Sequence, residues 1–505
     1  MPSRPIRLCL PLCALLLVAC GPSSPAGESS ATIEPVPFEL LEARIEDIQA
    51  AWRGDQVDAD GEPLSCVDLA QLDLQRIDSL DSSADTGLPI NSMVSINPQW
   101  QSQAEALDHA YAAAGPVGPL HCVPVILKDL YDTDDFPTTA SSLALAGSQP
   151  PDDAFTVARL RTAGALILGK AGMSEYAYWT QSFNSVSQRI GLPYDTGLDA
   201  GGSSGGTAAA IAANFGAIGT GSDTCASIRL PPANNSLVGV RSTVGLVSQD
   251  GLVPLSHTMD VGGPITRSVR DAALMLDAMA GVDPADPRTQ VPDRYQPASY
   301  VDALDAQGLA GRRIGVLRSY GGTDAFGDDA DINAVMEQAL TDLAALGAEI
   351  VDPVELPDFV DISKTLIVQE FADHLDEYLA SFDAPRANTE EVFASGLVHP
   401  FIEALVGASL LLRDTSSTRY QDLLAQREAV RDYVEAQLDN LSLDALVYPP
   451  VQNAAQPTGQ AQTDNCAFGS TTAMPSIAVP AGFTGDTPAR PVGIEFFGRR
   501  WDEAT

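Results

Sequence analysis

Phe38, Leu41, Ile45, Ile48 and Trp52 recur at intervals of three and four residues, as do Val67, Ala70, Leu74 and Ile77, and Ala104, Leu107, Tyr111 and Ala114. Each set lays an apolar stripe along one side of a helix, so three amphipathic helices are expected to open the folded part of the chain. The pattern then changes. The run VPVIL at 123–127 is apolar without alternation and rich in β-branched residues, which predicts a strand buried on both faces. Residues 152–163 return to a helical pattern, and 165–168 predict the next strand. Weaker strands are expected at 217–219 and 238–240, and further ones at 312–317, 445–448, 476–479 and 492–497. Helical patterns fill the intervals, notably 332–346 and 420–438. Such alternation predicts an α/β protein: one large domain whose mixed central sheet is covered by helices on both faces. No internal repeat divides the chain, and no Pro/Gly-rich linker interrupts it after Pro35.

The first residues follow a different rule. Arg4 and Arg7 precede an apolar run at 8–19, which Leu17-Val18-Ala19-Cys20 closes. A basic start, a dozen apolar residues and small residues at the end describe a secretory signal, too short to span a membrane as a helix. The cysteine after Leu-Val-Ala resembles the lipobox of bacterial lipoproteins. That resemblance implies removal of residues 1–19, lipid on Cys20, a flexible tether over 20–37 and a domain over 38–505. The expected location is then periplasmic or cell-surface, with the membrane reached only through the lipid. Charge narrows the partners further. With 67 acidic against 28 basic side chains the net charge is −39, which argues against a nucleic-acid partner. Of seven cysteines, Cys9 and Cys13 leave with the signal, while Cys66, Cys122, Cys225 and Cys466 stay in the mature domain. An oxidising compartment permits disulfides among those four, and the sequence leaves their pairing open. No CxxC pair or His/Cys cluster has metal-binding spacing, so no metal or other cofactor is expected.

The stretch GLDAGGSSGGTAAAIAANFGAIGTGSDTCASIRLP, residues 197–231, holds the candidate chemistry. A Gly/Ser linker would not run straight into the strong helix former that begins at Thr207. Ser203, Ser204 and Ser227 have no nearby histidine, and none of the five histidines accompanies a Gly-x-Ser-x-Gly elbow. A Ser/His/Asp triad assembled in space stays open, with His257 the first histidine to test. Lysine is the alternative base, provided burial keeps its amine neutral near pH 7. Of the three lysines, Lys128, Lys170 and Lys364, only Lys128 directly extends an apolar strand. On its own that position reads equally as a strand-end lysine reaching for solvent.

The motifs GPLHCVPVILKD, GGSSGG and GSDTCASIRLP resemble the amidase signature family in composition and order. The resemblance continues through NSLVGVRSTVGLVSQDGLVPLSHTMDVGGPITRSVRDAALMLDAMAG, MPSIAVPAGF and VGIEFFGRRWDEAT, so it covers residue 38 to the end. Lys128, Ser203 and Ser227 are separated by 75 and 24 residues (203 − 128 and 227 − 203). The resemblance implies an amidase that cleaves a carboxamide C–N bond of a small amide or peptide amide to an acid and ammonia or an amine. It makes Ser227 the nucleophile, Ser203 a bridging serine after a cis peptide bond, and Lys128 the terminal base. The backbone N–H groups of Thr224, Cys225 and Ala226 become the oxyanion hole. Asp223 and Arg229 read as local scaffold, and Ser204 as a structural neighbour. Substrate choice would come from about residues 285–440. Cys225 and Ala226 stand where family members often carry glycine, and such members usually continue with another helix after the point where Thr505 ends this chain. Three alternatives remain: the amidase component of a tRNA-dependent amidotransferase, a ligand-binding lipoprotein without catalysis, and an amidase using the Cys225 thiol.

Overall fold

A computed structural model of the chain describes residues 36–83, 88–291 and 297–505. The signal, Cys20 and most of the tether therefore lie outside the described residues. Val36 and Pro37, expected to end the tether, pair in parallel with Gln56 and Val57. The first three helices run over Ile45–Arg53, Cys66–Leu80 and Trp100–Ala114. Ile45, Ile48 and Ala51 bury the stripe of the first. Ser65 and Asp68 start the second with a reciprocal capping box that satisfies two terminal N–H groups.

A mixed twelve-stranded sheet forms the centre, with helices on both faces. Its order from one edge is Thr323–Asp324, Arg313–Tyr320, Ala445–Tyr448, Pro491–Phe497, Ser476–Phe483, Val238–Arg241, Val261–Thr266, Ile218–Asp223, Pro124–Lys128, Leu166–Ala171 and Met93–Ile96. Glu349–Leu356 pairs in parallel with Arg313–Tyr320 beside this path. Pro124–Lys128 runs parallel to both neighbours, with Val125 opposite Ile218 and Lys128 opposite Ala171. Adjacent parallel strands therefore end together at Lys128 and Asp223. The carboxyl ends of parallel strands are where open α/β sheets place their ligands.

Two apolar cores flank the sheet's middle. One gathers Ile126, Phe215, Met279 and Phe371; the other gathers Val316, Met336, Val447, Phe468 and Phe497. A small cluster of Ala226, Leu230, Val451 and Cys466 lies apart from both. Among the described residues two disulfides are present, Cys66–Cys122 and Cys225–Cys466.

Candidate active site

Lys128 closes its strand, and its backbone N–H donates 2.9 Å to Thr220 Oγ1 on the neighbouring strand. Its side chain is wholly buried. The Nζ atom lies 2.7 Å from Ser203 Oγ, 2.9 Å from Ser204 Oγ, 2.8 Å from Ser222 Oγ and 3.3 Å from the Ser222 carbonyl oxygen. Burial drives the lysine pKa down to about 7, against the pull of the Asp223 and Asp260 carboxylates, which raise it. A neutral amine has two N–H donors and one lone pair, so one of the surrounding hydroxyls must donate to it. The Ser204 hydroxyl can instead donate 3.2 Å to the Ser222 carbonyl. That leaves the Ser203 and Ser222 hydroxyls free to point a proton at Lys128, and Ser203 is the nearer at 2.7 Å. Ser222 is the partner that sequence reasoning missed, because nothing in IGTGSD distinguishes its serine from an ordinary strand residue. Ser204 is more than a structural neighbour, since it also contacts the amine.

The Gly/Ser tract is shaped by close approach. The Gly202–Ser203 bond is cis, as the family resemblance implies. The Ser203 carbonyl accepts from Ser174 N at 3.1 Å. A Cβ on Gly202 would lie 2.5 Å from Ser174 Oγ and 2.8 Å from the Gln181 backbone, and one on Gly206 only 2.2 Å from the Gly172 carbonyl oxygen. Only glycine fits at these two places. The buried helix Gly205–Ala212 then starts directly after the serine pair.

Ser227 sits in the turn that follows strand Ile218–Asp223 and is 3% exposed. The turn is held at one end by Thr224 Oγ1, which donates to Asp260 at 2.5 Å. At the other end Ile228 N donates to Asp223 Oδ2 at 2.9 Å, and Arg229 N to the Ala226 carbonyl at 2.9 Å. Among the described residues, no group accepts from the N–H groups of Thr224, Cys225, Ala226 or Ser227. Four N–H donors in one tight turn are therefore left without a partner, and such donors are available to a carbonyl or anionic oxygen. Behind the turn, Arg229 and Arg241 both pair with Asp223, at 3.1 and 2.6 Å, and Arg229 also pairs with Glu495 at 3.1 Å. Tyr448 OH donates 2.8 Å to Glu495. Burial pushes the Asp223 carboxyl up, but the two guanidinium groups outweigh it and hold its pKa below the ordinary value. Two cations and two anions thus balance in a sealed space. The scaffold role expected of Asp223 and Arg229 is met, with Arg241, Glu495 and Tyr448 added from far along the chain.

The three residues singled out by spacing are not all hydrogen-bonded to one another among the described residues. Lys128 and Ser203 are hydrogen-bonded, whereas the Ser227 hydroxyl has no hydrogen-bond partner among the described residues. His257 belongs elsewhere: its ring lies 4.3 Å from that of His374, and its pKa is lowered by burial and Arg288 to about 4. It has no hydrogen bond to Lys128, Ser203 or Ser227 among the described residues. Cys225 is tied to Cys466 and carries no free thiol, which removes the thiol-nucleophile alternative for this form of the chain. Cys66, Cys122 and His121 cluster closely enough to hold a metal, but the two sulfurs are joined to each other.

The chain has known relatives. A family model described as amidase matches residues 77–505. The native peptide amidase of Stenotrophomonas maltophilia superposes with a TM-score of 0.83 at 33% identity, covering 93% of this chain and 95% of that one. A structure of a peptide amidase in complex with the competitive inhibitor chymostatin gives 0.81 at 33% identity, with 92% and 95% covered. A glutamyl-tRNA(Gln) amidotransferase component from Paraburkholderia phytofirmans is 32% identical over 472 residues, or 87% of this chain and 92% of the relative.

Proposed function

The chain belongs to the amidase family, a family of amide-bond hydrolases, and from that premise we propose that it cleaves a carboxamide through an acyl-enzyme on Ser227. One observation carries the reading: a wholly buried lysine, with a pKa near 7, lies 2.7 Å from Ser203 Oγ beside a turn of unpartnered N–H groups. In the reaction, Ser227 Oγ attacks the carbonyl carbon of the amide. Its proton passes to Ser203 Oγ as the Ser203 proton passes to the neutral Lys128 amine. The carbonyl oxygen becomes an oxyanion and is received by the N–H groups of Thr224, Cys225 and Ala226, each worth about 3 kcal/mol to such a charge. The relay then runs backwards. Lys128 returns its proton through Ser203 to the leaving nitrogen, the C–N bond breaks, and the acyl group stays on Ser227 as an ester. Water enters by the same route and releases the acid. A hydroxyl becomes an effective nucleophile only with such an acceptor at hand.

The substrate class that fits is a small amide or a peptide amide, which the likeness to the two peptide amidases supports. Release of ammonia from a library of amides and peptide amides tests it, with Ser227→Ala as the blank. A second reading follows from the 32% identity to the amidotransferase component. The net charge of −39 opposes it, because a tRNA-handling surface must be cationic. Ammonia delivered to a charged tRNA with a partner protein, and no release from free amides, would favour that second reading. The N-terminal pattern further supports export and lipid attachment at Cys20. Labelled palmitate should enter the wild type and not Cys20→Ala, and an intact N-terminus in a cytosolic fraction would end that proposal.

A further inference from the structure

The turn that carries the four free N–H groups is anchored at its two ends by hydrogen bonds, through Thr224 to Asp260 and through Ile228 to Asp223. Its middle is held differently. Cys225 lies inside the turn, and its N–H and that of Ala226 have no acceptor among the described residues. Cys225 is fixed through its side chain: its sulfur is bonded to Cys466, the first residue of the helix Cys466–Thr472, and lies 3.9 Å from Ser470 Oγ on the same helix. That helix also takes part in fixing the ion cluster, since Arg229 Nη2 donates 3.5 Å to the Cys466 carbonyl. The bond therefore joins two segments 241 residues apart at the reacting centre. The two disulfides differ in access. Cys66 and Cys122 are both 0% exposed, whereas Cys225 is half-buried and Cys466 is 6% exposed. Thiol–disulfide exchange requires a thiolate to reach one of the sulfurs.

We infer that Cys225–Cys466 is a positioning element for the amidase reaction, and that it is the disulfide a thiol reductant opens first, switching the turn out of its reactive geometry. This rests on Ser227 being the nucleophile. The Ala226 carbonyl is held by Arg229 N and Leu230 N at 2.9 and 2.8 Å, and the disulfide adds the hold on Cys225 beside it, so that the N–H groups of the turn are placed without any hydrogen bond of their own. A donor aimed away from the developing oxyanion contributes little, because its value depends on being placed beforehand. In the reduction a dithiol supplies two electrons and two protons: the S–S bond breaks, two protein thiols form, and the dithiol closes to its own cyclic disulfide. Reoxidation reverses the step. Cys66–Cys122 instead joins the start of the second helix to a residue two positions before the Lys128 strand, and among the described residues it contacts none of Lys128, Ser203 and Ser227.

The test is the rate at which a fluorophosphonate labels Ser227, read by peptide mass, which needs no knowledge of the natural amide. It is run on the full mature chain, oxidised and after stepwise reduction with a dithiol, with the thiols counted by alkylation of a parallel sample. Labelling is expected to fall about 100- to 1,000-fold as Cys225 and Cys466 appear as thiols, on the scale of a lost oxyanion donor. It should recover on reoxidation, while the far-ultraviolet circular dichroism stays unchanged. Cys466→Ser should show the same fall, and on the natural substrate the fall should appear in kcat with KM within about threefold. If that variant does not fold, reversible reduction of the wild type still decides. Equal labelling of the oxidised and reduced forms overturns this inference alone. Failure of the oxidised wild type to label at Ser227 overturns the nucleophile and takes the inference with it.

Discussion

Lys128 and Lys170 stand on adjacent parallel strands, both wholly buried, and they make a comparison inside one molecule. Burial lowers both amines, to about 7 for Lys128 and about 8 for Lys170. A depressed lysine pKa therefore does not by itself mark the base. The surroundings differ. Lys170 donates to the Pro137 carbonyl at 2.8 Å and to Thr138 Oγ1 at 2.6 Å, lies 4.6 Å from the Phe136 ring centroid, and is drawn back towards the charged form by Asp129 and Asp132. Its neighbours accept a cation and keep it. Lys128 faces three serine hydroxyls, and those of Ser203 and Ser222 have no other acceptor among the described residues. The first arrangement holds a charge in the core; the second sets the amine against hydroxyls that can exchange a proton with it. Desolvation supplies the poise and the partner supplies the reaction.

The largest break in the comparison comes from arginine. Lys128→Arg keeps a cation but cannot lose its proton, so amide hydrolysis should fall by on the order of 10³-fold or more. Lys170→Arg should retain activity within a few-fold if it folds, and an active Lys128→Arg enzyme would reopen the histidine question at His257.

Methionine separates the two on stability. Lys170→Met leaves Asp129 and Asp132 without their buried cation and should cost about 2–4 kcal/mol in urea unfolding, with kcat little changed. Lys128→Met should abolish hydrolysis and yet stabilise the fold below pH 7. The sign follows from linkage. The folded amine has the lower pKa, so between about 7 and the ordinary 10.5 the unfolded chain binds a proton that the native one does not. Stability of the wild type rises with pH across that window, and the full cost of the buried lysine is present below it. The advantage of Lys128→Met should shrink as pH rises from 7 to 10.5. An advantage independent of pH would mean that Lys128 is not desolvated in the native state.

The pH profile sharpens the same point more gently. Activity should rise through an apparent pKa near 7, where Lys128 becomes neutral, and stay high into alkaline solution. Salt gives the smallest effect. The excess of surface carboxylates favours the protonated amine, so raising ionic strength should move that pKa down by a few tenths of a unit.

How much of this was legible beforehand depends on distance along the chain. The apolar runs at 123–127 and 165–168 announced their strands because both faces are buried there. The strand Val261–Thr266 was not announced, since its VGGPIT sequence reads as a turn. Those glycines are required by packing: a Cβ on Gly263 would lie 2.0 Å from the Val240 carbonyl oxygen. Glu349–Leu356 was hidden in the same way by its acids and Pro353, which its edge position tolerates. At the site, Lys128 and Ser203 were legible from motif and spacing. Ser222 and Arg241 had no local signal, and Glu495 joins Arg229 across 266 residues, which only the folded sheet brings together. The pairing of the four cysteines was open for the same reason.

The most direct test of the central claim is the pH dependence of fluorophosphonate labelling, located by mass spectrometry, in the wild type and in Lys128→Arg. A single adduct on Ser227 is predicted, formed at a rate that rises through a pKa near 7, with almost none in Lys128→Arg or Ser227→Ala. An adduct on another residue, or a rate in Lys128→Arg equal to that of the wild type, would contradict it.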